Sequence, residues 1–417
     1  MLAGDTLSAV GSGLTLPFLL VYLSRIRGMD LAVAGLAVAT VAIAGFAGNP
    51  VGGWLTDRVG ARRALGFGLL VAATGAFMVV LIRGPWDAFA AVVVVGFGAA
   101  LVFPAQDAFL AIVVDRTART SVFAVRNLTL NAGYGLGALL ASLLVDLSSP
   151  RSFEVLYVVD GLTFLAFIPI LWVVRLHREA TTAVPSKAGR AHELSGYRVV
   201  LQDRTFLRFW VLMAFLVTIG FAQSVAAFPA YATGVGGIAA SGISLALAAN
   251  TFTVVAAQFP VLRLMEGRRR TTGIVLACLC WAVAWTITLL VGMTGGRGTP
   301  PVLGFSIAMV VFALGETLLA PSQAALANDL APDHLRGRYN GLYALAWTTG
   351  LAVGPAIAGV TLRSGNGTLL FAGLIAGCGL GAMAAARLSR HLPAQINLVT
   401  VRAPVAASSD SPIERDG

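Results

Sequence analysis

Hydrophobic residues along this chain neither alternate with polar ones nor fall into single helical stripes. They run on for 18 residues or more, and short polar turns separate the runs. A run of that length crosses a hydrocarbon layer of roughly 30 Å as an α-helix. A helix is required there, because lipid offers backbone N–H and C=O groups nothing to bond. Twelve spans are expected, at 2–24, 31–55, 64–82, 86–114, 121–146, 153–175, 206–232, 238–263, 271–293, 301–327, 337–362 and 367–388. The fold class is therefore an all-α membrane protein. The polar interval 176–205 reads as a cytoplasmic linker between two six-helix halves, 1–175 and 206–390. Residues 391–417 read as a disordered cytoplasmic tail.

Composition removes the soluble alternatives. Of the 417 residues, 57% are hydrophobic and 12% are charged, whereas a soluble domain carries about 25% charged. So few charges cannot cover a water-facing surface. The net charge of +10 does not point to nucleic acid, since the basic residues sit in short clusters between apolar runs with no stacking aromatics. They set orientation instead. With the N-terminus inside, 23 of the 29 Lys and Arg fall in inner loops, the inner ends of spans and the tail, and 6 on the outer side. That bias puts both termini in the cytoplasm of a cell membrane, plasma or inner. Lys187 has no glycine-rich phosphate loop around it, so ATP is not expected to drive the chain. Neither H-E-x-x-H nor G-x-S-x-G occurs, and the four His lie in inner loops or the tail. An enzyme, a bound metal and a cofactor are not expected. The three Cys lie within spans and read as small core residues.

The two halves repeat. Gly98, Leu101, Pro104, Gln106, Ala108, Arg119, Leu128, Gly133 and Gly137 match Gly315, Leu318, Pro321, Gln323, Ala325, Arg336, Leu345, Gly350 and Gly354, all at one offset of 217. Pro, Gln and a loop Arg at a common offset carry more weight than Gly and Leu. A six-plus-six parallel repeat predicts a binding site near the midplane between the halves, with rocking of the halves as the transport motion.

After span 2 the chain reads Gly53-Trp54-Leu55-Thr56-Asp57-Arg58-Val59-Gly60-Ala61-Arg62-Arg63. Here it resembles the major facilitator superfamily, whose loop between helices 2 and 3 follows G-x-x-x-D-R-x-G-x-R-R. The resemblance covers essentially the whole chain and is nearest to the twelve-helix drug:proton antiporters. In this turn Gly53 permits close helix packing and Gly60 a tight reversal. Asp57 can face the positive N-terminus of a neighbouring helix. Arg58, Arg62 and Arg63 can meet acids or lipid phosphates. Asp107 and Asp115 are the nearest acids in sequence for Arg58 or Arg62. In the second half the loop is the degenerate Glu266-Gly267-Arg268-Arg269-Arg270. The resemblance implies that Asp329, seven residues before Arg336, meets it. The counterpart of Asp329 at the 217 offset is Ile112. Gly350-x-x-x-Gly354-Pro355 is similar to the glycine-proline signature that antiporters of the family carry in helix 5. Span 5 here has Gly133-x-x-x-Gly137 followed by Ala138 instead of Pro. Val92 to Val95 stand where the family places an Arg in helix 4. Both GxxxG patterns are also what plain close helix packing uses.

Ionisable residues inside spans are costly and by default point to function. Glu316 lies near the middle of span 10 and Asp107 deep in span 4. The resemblance implies that spans 1, 4, 7 and 10 line the central cavity, so both acids are candidates to face it. Asp5, Arg126 and Asp160 are also within spans. Asp107 is expected to pair with Arg126, and Asp160 with Arg151. Asn131, Gln223, Asn250, Gln258 and Trp347 are either ligand contacts or interhelical bonds. The resemblance then implies a monomeric secondary transporter whose partners are the bilayer, protons and a small-molecule substrate. Proton-coupled efflux of a drug-like, partly apolar compound by alternating access is the expected activity, with Glu316 as proton carrier. Uptake of a sugar, organic acid or amino acid is the alternative, and a non-transporting sensor is the reading from another class.

Overall fold

The computed structural model describes residues 1–145, 149–173, 195–294, 299–363 and 365–399. Twelve long helices follow the twelve apolar runs. They are α1 (Leu2–Thr15, extended by irregular turns to Ile26), α2 (Leu31–Val59), α3 (Ala61–Val80), α4 (Pro85–Val113), α5 (Arg119–Leu144) and α6 (Pro150–Val173) in the first half. The second half holds α7 (Arg204–Ile219), α8 (Ala240–Met265), α9 (Arg270–Met293), α10 (Thr299–Leu330), α11 (Arg336–Arg363) and α12 (Gly367–Leu388). Among the described residues, eleven of these are long and apolar enough on their own to cross a membrane. The one that falls short is α5, which carries Arg119, Arg126, Asn127 and Asn131. Of those groups Arg119 and Arg126 are buried, each paired with an acid on a neighbouring helix.

The repeat seen in sequence is a repeat of packing. In the first half α4 packs on α2 and α3, α5 on α1, and α6 on α1 and α3. In the second half α10 packs on α8 and α9, α11 on α7, and α12 on α7 and α9. Matched residues do matched work. A Cβ added at Gly133 would lie 2.8 Å from Ala9 Cβ on α1, and one added at Gly350 would lie 2.6 Å from Val217 on α7. Gly137 and Gly354 follow one turn on, against α1 and α7. Both GxxxG patterns therefore bind a half together internally. Pro355, just after Gly354, lies within α11. The halves meet through α2 with α11, α5 with α8 and α10, and α4 with α11.

Two spans are less regular than expected. α1 passes into a 3-10 turn at Leu16–Phe18, where Pro17 cannot donate to the preceding turn, and then into a π turn at Tyr22–Ile26. The span that begins with α7 is broken at Gly220 and Ala226 into Arg204–Ile219, Phe221–Val225 and Ala227–Gly234. The expected linker contains a short helix, Ser195–Gln202, while residues 174–194 lie outside the described residues. The expected disordered tail must be corrected over 391–399. Ala394–Asn397 is helical, Leu398 forms an antiparallel bridge with Arg269, and Val399 is buried. The physical reason is capping: Asn397 Oδ1 accepts from Thr271 N at 3.0 Å, satisfying a free amide at the start of α9. Residues 400–417 lie outside the described residues.

Candidate functional site

The loop motif closes one end of the molecule. α2 runs to Val59, and Gly60 reverses the chain at φ +89° before α3 begins. This leaves Asp57 on the last turn of α2, aimed at the other half. Asp57 Oδ1 accepts from Gly337 N at 2.6 Å, and Oδ2 from Arg338 N at 3.1 Å and Arg338 Nη1 at 3.2 Å. A carboxylate of the first half thus caps the N-terminus of α11 in the second. The helix dipole and two otherwise free amides favour this partner. The helices can come this close because both sides carry glycine. A Cβ at Gly53 would stand 2.5 Å from Gly337 O, and one at Gly341 would stand 2.6 Å from Asn49 O. One turn deeper, Asn49 Nδ2 donates to Thr348 Oγ1 at 2.8 Å.

The short helix Ser195–Gln202 seals this contact. Tyr197 donates its hydroxyl to Pro50 O on α2, and the Arg338 guanidinium lies over its ring at 5.6 Å. Burial, with the Asp57 carboxylate nearby, raises the Tyr197 phenol above its usual value, so it remains a donor. Arg58 lies over Trp54, and Arg62 lies over Phe109 and Trp172. Arg63 is exposed. Asp107 is thus not the acid for this loop; it is held elsewhere, as described below.

The second-half gate also needs a correction. Asp329 meets the loop after α8, but through buried Arg270, at 2.7 Å, while Arg268 is exposed. Arg270 opens α9 and points inward, whereas Arg268 sits on the turn before it. Asp329 is shared with Arg119 at the start of α5, so this acid also bridges the halves. Arg119 donates as well to Ala111 O at 2.7 Å. Its repeat mate Arg336 instead pairs with Asp333 in its own loop. The cross-half bonds of Asp57, Arg119, Asn49 and Tyr197 all lie toward this motif end.

A buried polar centre sits between α1, α4 and α5. Arg126 Nη1 donates to Asp107 Oδ1 at 2.6 Å, Nε to Asp5 Oδ2 at 3.2 Å, and Nη2 to Gln106 Oε1 at 2.7 Å. The Gln106 amide donates in turn to Asp5 Oδ1. The expected Asp107–Arg126 pair is present, with Asp5 as a second carboxylate. When both are ionised, the two carboxylates exceed the one guanidinium between them by −1, a charge that the Met1 ammonium near Asp5 also faces. One added proton cancels it, and the low dielectric makes that difference large. Tyr343 on α11 lies near Asp107 as well.

The second half holds a cavity of about 270 Å³. Phe221, Ser224, Leu247, Asn250, Met309, Glu316, Trp347 and Leu351 are among its lining. The break after α7 turns Phe221 into it, where the ring packs against Trp347 at 4.7 Å between centroids, tilted by 42°. Glu316 is its single acid, with Asn250 also in the lining; the Asn250 amide donates to Met309 O at 3.4 Å. Trp347 Nε1 donates to Tyr343 Oη at 3.2 Å, linking the cavity wall to the residue beside Asp107.

Other candidates fall outside this cavity. Gln223 is fully buried and donates to Thr218 O at 2.9 Å and Gly354 O at 3.0 Å, tying the broken helix to α11. Asn131 donates to Asn127 O at 2.9 Å, and Asn127 donates to Gln258 Oε1 across the halves. The Gln223 and Asn127–Gln258 bonds join different helices, whereas the Asn131 amide is taken up within α5 itself. Asp160 accepts from Thr15 Oγ1 at 2.8 Å, which replaces the expected pairing with Arg151. Gln106, Arg119 and Arg270 belong to the buried networks but were not singled out as site residues. The 217-residue repeat, which matches Gln106 and Arg119, was the signal that pointed to them.

The major facilitator superfamily profile matches residues 1–239 and 227–407. The uncharacterized MFS-type transporter YdeE of Escherichia coli (strain K12) is 26% identical over 368 residues, covering 87% of this chain and 88% of its own. The Na(+), Li(+), K(+)/H(+) antiporter of Planococcus maritimus is 25% identical over 395 residues, covering 88% of this chain and 89% of its own. The fold is like that of a bacterial homologue of the iron transporter ferroportin, crystallised in an outward-facing state, with a TM-score of 0.71 at 16% identity over 93% of this chain and 98% of that one. With two six-helix halves, a glycine-lined gate capped by Asp57 and a profile match across both halves, the chain belongs to the major facilitator superfamily and is a secondary transporter.

Proposed function

We propose that this chain exports a small, partly apolar compound in exchange for protons. The observation that carries the reading is Glu316, one acid in a cavity otherwise walled largely by Phe221, Trp347, Met309, Leu247 and Leu351. A carboxylate in such surroundings is costly to keep ionised unless a cation or a proton joins it. An aromatic and aliphatic wall suits an apolar body, and the acid suits a basic or hydrogen-bonding group on it. Proton and substrate then compete for one carboxylate, which couples opposite movements. A relative whose name includes H(+) antiport supports the direction of coupling. Sugar uptake is less well supported, because Gln223 bonds to a neighbouring helix and Asn131 to its own, which leaves few amides for hydroxyl groups.

The positive-inside bias puts the gate at the cytoplasmic side. In that orientation the described conformer is closed to the cytoplasm. Protonation of Glu316 from outside would release substrate, and reopening inward would release the proton. Ethidium, a lipophilic cation, is a suitable first probe, alongside growth inhibition in an export-deficient host. In proteoliposomes Glu316→Gln is expected to abolish ethidium accumulation driven by a pH gradient while ethidium exchange at equal pH persists. Full gradient-driven accumulation by Glu316→Gln, with loss in Asp107→Asn, would move the coupling role to the first half.

A further inference from the structure

A second cavity, of about 140 Å³, lies wholly within the first half, among α1, α3, α4, α5 and α6. One face of α1 supplies Asp5, Ser8, Ser12 and Thr15 to it, at steps of three, four and three residues. That spacing is the helical repeat, so the four polar groups form one ladder about 15 Å long at ~1.5 Å per residue. Apolar Leu16 and Leu19 continue the same wall beyond it. Asp5 stands at the foot of the ladder, inside the Arg126 centre. Asp160 on α6 stands at its head, 6% exposed, with Thr15 donating to Oδ2. Among the described residues the other oxygen, Oδ1, is buried without a well-formed hydrogen bond, although the Ser12 hydroxyl stands near the carboxylate. A buried carboxylate oxygen without a donor is expensive unless water or a proton serves it.

We infer that this cavity is a hydrated proton file, joining Asp160 to the Asp5–Arg126–Asp107 centre by a route separate from the substrate cavity. The volume has room for roughly four waters. The hydroxyls of Ser8 and Ser12 both donate and accept, as a chain of hopping protons requires. A bound metal ion fits poorly. The two acids stand at opposite ends of the ladder, much farther apart than the ~2.3–2.6 Å ligand distances around one ion. No cluster of three His, Cys, Asp or Glu occurs among the described residues. The titratable and charged groups around the file are the Met1 ammonium, Asp5 on α1, Asp107 on α4, Arg126 and Tyr134 on α5, and Tyr157 and Asp160 on α6, with Tyr22 near Tyr157 and Tyr343 near Asp107. α3 contributes only Ala72, Ala76 and Val79. The inference extends the proton-coupled reading to the first half, since a proton arriving at Asp5 or Asp107 cancels the −1 of that centre beside α11.

The test needs no substrate. Infrared spectra of the purified protein in detergent, taken across pH and in H₂O against D₂O, read each protonated carboxyl through its C=O stretch. A carboxyl band that disappears in Asp160→Asn, and another that disappears in Asp107→Asn, are expected. Ser12→Leu plugs the ladder midway. It should keep both bands but slow deuteron exchange at the Asp107 band by about tenfold or more. Ser8→Val makes the same plug if Ser12→Leu does not fold. An Asp160→Asn spectrum identical to that of the unaltered protein, or unslowed exchange in the folded plugged variant, overturns the file. Glu316→Gln is the separate arm: its band reports the substrate cavity, and its absence would count against that reading while leaving the first-half bands to decide this one.

Discussion

At the scale of the residue, Arg126 carries the largest local risk. Its guanidinium donates to both Asp5 and Asp107, and all three side chains are buried. Removing it leaves both carboxylates uncompensated, whereas removing all three charges need not cost much. Arg126→Met is therefore expected to destabilise the protein by about 3–5 kcal/mol, seen as a lower Tm in detergent. Asp5→Asn and Asp107→Asn added to Arg126→Gln should recover much of that loss. A triple variant no more stable than Arg126→Met would mean that the centre is held by its particular hydrogen bonds and not by charge balance. Asp57 poses a different question. Asn at this position keeps one acceptor oxygen, for the Gly337 amide, but presents an NH2 donor to Arg338 N and Nη1, so two of the three cross-half bonds go, and bonds to a charged group contribute about 1.5–3 kcal/mol each. Asp57→Asn should keep the protein in the membrane and cut transport, because the gate end no longer closes. A fall in protein level in step with transport would mark Asp57 as a folding residue only.

At the scale of the element, two glycines of one motif do different work. Gly60 has open space around it, but its φ of +89° and ψ of 146° suit glycine alone. Gly60→Ala should cost about 1–3 kcal/mol of local strain and leave the halves in register. Gly53 has ordinary backbone but no space, since the added Cβ meets Gly337 O and Arg338 Cα, neither of which can swing aside. Gly53→Ala should hold α2 away from α11. Spin labels on exposed Arg63 and Arg268, on opposite halves at the gate end, should then move apart in double electron–electron resonance. Equal distance distributions in Gly53→Ala and the unaltered protein would show that α2 and α11 have slack that these contacts do not suggest.

At the scale of the whole molecule, orientation is the open quantity, and loop charge decides it. With Cys278, Cys280 and Cys378 replaced, Cys at Trp86, which is 85% exposed, should react with an impermeant thiol reagent in intact cells. Cys at Arg268, exposed beside the gate, should not. Reversed labelling would turn the molecule over and make the described conformer open to the cytoplasm. It would leave the gate geometry as it stands.

How much of this could be read from the chain follows from what lipid demands. Runs of apolar residues longer than a bilayer is thick can only be helices, so the twelve elements were legible, and so was their arrangement in two halves once the 217-residue offset was seen. Asp57 was legible as a cap, because a carboxylate on a short glycine-bounded turn has few other uses. Its partner, the first turn of α11, was not, since nothing local marks which of several helix N-termini will arrive there. The same limit explains the exchange of Arg268 for Arg270: three consecutive arginines differ only in the direction each side chain takes once α9 begins. It explains Gln223 and Asn131 too, whose amides look alike in sequence whether they face a cavity or a carbonyl. Hydropathy identifies which residues leave water. Which buried polar groups find one another depends on distances between helices far apart in the chain, and only the packed structure sets those.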